Sequence, residues 1–95
     1  MRIQKFLAQH DLSFELSPSK SFGWAACIKD SGGNTASIRQ ADMPRNTFMN
    51  GHGYGKTPVL ALKDFSKYLS GKVLVLNAGF HNAQEIEVPK KLIVT

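Results

Sequence analysis

Three histidines (His10, His52 and His81), one cysteine (Cys27) and the acidic pair Glu85 and Glu87 are the residue types from which a catalytic or metal centre would be built. Their spacing does not build one. The histidines and the cysteine show none of the short intervals of a zinc site. No serine sits in a nucleophile elbow. Glu85 and Glu87 share one face of an expected strand, where carboxylates face solvent. The sequence therefore predicts no metal, no cofactor and no enzyme. Each histidine is expected at the surface or in a turn.

Gly55-Lys56-Thr57 resembles the end of a phosphate-binding loop, in which backbone amides and a lysine hold phosphates. The spacing fails, because the first glycine of that motif would fall at Asn50, and Gly51 is one residue too close. Gly51, Gly53 and Gly55 are instead expected as flexible or positive-φ positions leading into a helix. Helix amides near Thr57, with Lys56 beside them, could receive an anion, although capping by the Thr57 hydroxyl alone accounts for the pattern.

Binding residues are the better candidates. The chain carries a net charge of +5, which favours an anionic partner, either nucleic acid or an acidic protein surface. Lys63 and Lys67 stand one turn apart, opposite the apolar stripe of the expected helix. With Lys20, Arg39 and Arg45 they are expected to make a basic surface. His52, Tyr54 and Lys56 belong to the stretch 41–56, which is expected to join Lys63 and Lys67 in the contact surface. Trp24 is expected in the core rather than as a stacking platform.

The elements that must position these residues centre on 51–71. Thr57 is an N-cap candidate, Pro58 suits the first helical position and Gly71 suits the left-handed residue past the end. Ala61, Leu62, Phe65 and Leu69, with Tyr68 at the margin, form an apolar stripe at helical spacing. This is the principal helix, from about 57 to 70.

Before it, Ile3, Phe6 and Leu7 predict a short helix ending near His10-Asp11, with a first strand as the rival reading. Leu12 to Leu16 alternates as a strand. Phe22, Trp24, Ala26 and Ile28 point to one face of a second, and a turn at Asp30 to Asn34 leads to a third over 35–40, with Ala36 and Ile38 inward. Residues 41–56 lack periodicity, so they are functional, mobile, or hide a short element around Thr47-Phe48-Met49. Val73-Leu74-Val75-Leu76 reads as a strand covered on both faces, followed by a turn at Gly79 to Asn82 and a strand at Glu85 to Val88. Residues 90–95 add an edge strand or a subunit contact.

The expected fold is α+β in the order α-β-β-β-α-β, a short N-terminal helix, a three-stranded antiparallel meander, one principal helix and one or two C-terminal strands, within one domain spanning 1–95. No run of about 18 apolar residues exists, and the N-terminus has no signal-type apolar core. A soluble cytoplasmic protein is expected, and the lone cysteine fits a reducing compartment.

The element order, with Gly53, Gly55, Thr57 and Ala61, resembles the helix-opening segment of double-stranded-RNA-binding domains. Pro58, Val59 and Leu62 replace that family's lysines, so its phosphate clamp does not carry over. Gly53-Tyr54-Gly55-Lys56-Thr57-Pro58 with Ala61, followed by Leu69 to Val75, is similar to small phage and prophage proteins with a HicB-like, partial RNA-binding fold, over roughly residues 22 to 89. HicB-type antitoxins neutralise a small RNA-cleaving toxin. The resemblance implies a phage-type accessory protein that binds and blocks a host nucleic-acid-handling machine, as an antitoxin or anti-defence inhibitor does. Its partner would be a host protein or nucleoprotein complex. Direct RNA or DNA binding is the alternative, no membrane is involved, and a homodimer remains open.

Overall fold

The computed structural model describes residues 1–30, 33–44, 47–78 and 81–94. Its elements are α1 (Ile3–Gln9), β1 (Ser13–Ser19), β2 (Gly23–Lys29), β3 (Ser37–Arg39), β4 (Gly53–Gly55), α2 (Pro58–Leu69), β5 (Val73–Leu76) and β6 (Gln84–Glu87). The fold is α+β, with antiparallel strands in two three-stranded sheets ordered β1-β2-β4 and β3-β5-β6.

The principal helix forms where its signals stand. Thr57 is extended, its side-chain oxygen accepts from the Leu60 N–H at 3.2 Å, Pro58 opens the first turn, and Gly71 follows the helix at φ 74°. Ala61, Phe65 and Leu69 are fully buried, and Phe65 meets Phe14 of β1 edge to face at 5.9 Å. Ser66, also buried, satisfies its hydroxyl on the Leu62 carbonyl at 2.9 Å. The Ser70 hydroxyl accepts from Leu92 N–H at 2.9 Å, and Gly71 N–H donates to Pro89, so the C-terminal segment is tied to the end of α2. That segment also bridges Arg2 through Ile93, beside the start of α1.

The expected three-strand meander divides. β1 and β2 pair over seven positions, but beyond the Lys29–Thr35 bridge the chain leaves that sheet, and β3 pairs with β5. The place beside β2 goes to β4, which lies inside the stretch that showed no periodicity. Met49 also bridges Ile38, its N–H donating at 2.6 Å, so residues 47–55 run from the edge of one sheet to the edge of the other. The turn expected from Asp30 to Asn34 closes with Asp30 N–H on the Asn34 carbonyl at 3.0 Å, while Ser31 and Gly32 lie outside the described residues. Gly79 and Phe80 of the later turn do as well.

The alternate glycines serve packing, not positive φ. Among the described residues, left-handed glycines are Gly23, Gly33 and Gly71. A Cβ on Gly53 would enter the backbone of Phe65, and one on Gly55 would enter that of Leu60 and Ala61. The two glycines let β4 lie directly against α2. Gly51 meets the Ala36 carbonyl in the same way, at 2.8 Å from an added Cβ.

Candidate partner-binding corner

Side chains alternate across a strand, so if Gly53 and Gly55 face α2, Tyr54 faces away from it. Its register partner Ala25 lies on the same outer face. The Tyr54 backbone N–H donates to the Asp64 carboxylate of α2 at 2.8 Å, which closes the outer edge of β4. Its phenol oxygen accepts from the Asn50 side-chain amide at 3.2 Å. The Asn50 oxygen in turn accepts the His52 backbone N–H at 3.2 Å. The same oxygen lies 3.4 Å from His52 Nδ1, so Asn50 touches both rings, and His52 stacks beside Tyr54 at 6.3 Å between centroids, 20° from parallel.

Phe22 completes the row. The sequence places it on the Trp24 face of β2, but it lies before that strand, and Gly23 at φ 96° turns the chain there. Its ring sits 4.6 Å from Tyr54 and it is 56% exposed. Trp24 packs partly buried against the core, as expected. An added Cβ on Gly23 would meet the Gly55 carbonyl and Lys56 Cα, each at 3.0 Å, so the start of β2 touches the end of β4. α2 begins at the same place, with Val59 57% and Leu60 48% exposed. This corner gathers Phe22, Tyr54 and His52 on the outer face of β4, with the exposed Val59 and Leu60 on the first turn of α2 at the other face. Lys20, exposed two residues before Phe22, and Lys56, exposed between β4 and α2, stand at its rim.

The other expected cations stand away from the Tyr54 rings. Lys63 and Lys67 are exposed, each two positions past a buried inner residue and so about 200° round the helix from the core. On that outward arc Lys63 neighbours Val59 and Leu60, one turn before it, and the sheet separates both lysines from Tyr54. Arg39 is buried: its Nε and Nη2 donate to the Glu85 carboxylate at 2.8 and 2.6 Å, and its Nη1 to the carbonyls of Gln40 and Met43. By register, Arg39 and Glu85 lie diagonally across the outer face of β5, above Val73 and Val75. The guanidinium stem supplies the second cover that the apolar strand requires. Arg45 lies outside the described residues.

His10 and Asp11 line a separate cavity of about 350 Å³ together with Asp30 and Asn77. Among the described residues, no group of three or more His, Cys, Asp or Glu side chains could hold a metal, and no helix is long and apolar enough to cross a membrane. Cys27 is buried, and burial pushes its thiol pKa up despite the opposing charge of Lys29.

Phe22, Val59, Leu60 and Asp64 are the residues that sequence reasoning missed, while Asn50 falls within the stretch 41–56 expected in the contact surface. Val59 and Leu60 lie off the Ala61-Phe65-Leu69 stripe, and apolar residues outside the core-facing arc of a helix are the signal that marks them. No protein-family model matches the chain, and neither a curated protein nor a solved structure matches it.

Proposed function

We propose that the chain is a non-catalytic binding module of phage type that docks on a host nucleic-acid-handling machine in the cytoplasm and blocks it, in the manner of an antitoxin or anti-defence inhibitor. The observation that carries this reading is the corner. Phe22 leaves about half of its surface in solvent beside a Tyr54 held in place by Asn50 and Asp64, and Val59 and Leu60 do the same on the first turn of α2. Rigid aromatic and aliphatic groups inside a charged rim have the anatomy of a protein contact. The Gly-x-Gly-x-Thr-Pro resemblance supports the phage-type assignment. The pairing of Arg39, and the sheet that stands between Lys63 and Lys67 and the Tyr54 rings, argue against a clamp on duplex backbone, which needs several phosphate contacts at once.

The test is affinity capture from host lysate with and without nuclease, using wild type and the double variant Phe22→Ala, Val59→Ala. A defined nucleic-acid enzyme should survive nuclease, rebind in purified form, lose activity when bound, and be released by the double variant. If every captured protein disappears with nuclease, blocking by protein contact is wrong.

Direct RNA or DNA binding is the second reading, favoured by the ring row itself. Phe22, Tyr54 and His52 with Lys20 and Lys56 beside them offer stacking and a few phosphate contacts, which suits a single strand. With two lysines in contact, log K should fall with log salt at a slope of about −1.4. Lys63→Ala and Lys67→Ala should leave that slope unchanged.

A further inference from the structure

Four strands form the edges of the two sheets, and three of them are closed or guarded. The β4 edge is capped where Asp64 takes the Tyr54 N–H. The β3 edge is bridged by Met49. β6 is four residues long and carries exposed Glu85 and Glu87, charges that discourage strand addition. β1 differs. It is seven residues long, and among the described residues only β2 pairs with it. Leu16 at its centre is 40% exposed.

The strand also reads the same from either end. Ser13-Phe14-Glu15-Leu16-Ser17-Pro18-Ser19 runs polar, apolar, polar, apolar, polar, apolar, polar about Leu16. Laid antiparallel on a second copy and centred there, Ser13 falls opposite Ser19, Phe14 opposite Pro18, Glu15 opposite Ser17, and Leu16 opposite itself. Every apolar residue meets an apolar one, on the face that continues the row of Ile28, Ala26 and Trp24. Glu15, the strand's single charge, falls opposite Ser17 and diagonal to Glu15 of the second copy, about 7–8 Å away, and each keeps its own Lys29 at 4.0 Å to offset the other. Pro18 removes one amide near the end of the strand, and alternate residues of β1 present their backbone groups to the edge that β2 does not occupy.

We infer that β1 pairs with β1 of a second copy of the chain about a two-fold axis through Leu16, joining two three-stranded sheets into one of six. This contact is isologous, as a two-fold interface must be. A strand pair of this length lies below the roughly 1,200 Å² of a standard interface, so the dimer dissociates on dilution.

Sedimentation over a wide concentration series tests the pairing. The mass should rise from one chain toward two in wild type and stay at one chain in Leu16→Lys, whose circular dichroism should match wild type because the side chain is already half in solvent. Register is tested by oxidation in a Cys27→Ser background. Leu16→Cys should give a disulfide-linked dimer, since directly opposed Cα atoms lie about 4.5–5.5 Å apart, and Ser13→Cys should not, since it faces residue 19. A wild type that remains a single chain at every concentration overturns the inference. So does a dimer that Leu16→Lys leaves intact, or crosslinking that is equal at positions 13 and 16.

Discussion

β4 has two faces with opposite rules. On the inner face Gly53 and Gly55 have no side chain at all, because the backbone of α2 occupies the space. On the outer face Tyr54, with His52 just before the strand, carries a large ring that the core does not require. The inner face is defined by what cannot be added, and the outer one by what could be removed without loss of fold. One residue type is therefore silent about function and the other is not, although both sit in the same Gly-x-Gly motif.

The largest effect should come from filling the inner face. Gly53→Ala or Gly55→Ala places a methyl inside helix backbone that cannot move aside as a flexible side chain would. The expected cost is about 3 kcal/mol or more, at the upper end of overpacking, against a total stability of about 5–15 kcal/mol. Urea unfolding reads it directly. Loss of less than about 1 kcal/mol would mean that α2 can shift off the strand.

Arg39→Ala comes next, at about 2 kcal/mol. It leaves Glu85 without its partner and uncovers β5, although Glu85 is one-third exposed and can recover water. Arg39→Met should recover part of the loss, because it restores the cover without the bonds. Equal losses in the two variants would show that the ion pair, and not the cover over Val73 and Val75, sets the effect. Thr57→Ala should cost about 1 kcal/mol, the ordinary value of an N-cap, measured by the same urea titration.

How much of this was legible in the sequence follows from how local each feature is. The cap, the proline and the terminal glycine of α2 act within one turn, and the structure places them where their types predict. The path of β3 was not legible. Ala36 and Ile38 are inward in either sheet, so burial pattern alone gives no register partner. β4 was hidden because a three-residue strand with two glycines has no hydrophobic alternation to detect. Arg39 looked like a surface cation because Glu85 is forty-six residues away in the chain, and only the β3-β5-β6 order brings them together. At the candidate site His52, Tyr54, Lys20 and Lys56 could be named in advance. Phe22 could not, since the turn at Gly23 decides which way its ring points.

The smallest effect on stability should belong to the outer face, and it is the one that separates the two faces as structure and as contact surface. Phe22→Ala and Val59→Ala remove side chains that are already more than half in solvent, so each should change unfolding free energy by no more than about 0.5 kcal/mol. Val59→Ala also places a better helix former in the first turn of α2, which opposes what little burial is lost. If the corner is a contact surface, these near-neutral changes should still weaken partner capture, by about 2 kcal/mol where Phe22 anchors the interface. The same measurement on Lys67→Ala should show neither effect, because that lysine faces solvent two turns further along α2 than Val59 and Leu60. A Phe22→Ala protein that unfolds at markedly lower urea would place the ring in the fold's own packing. The exposure of the corner would then no longer argue for a partner.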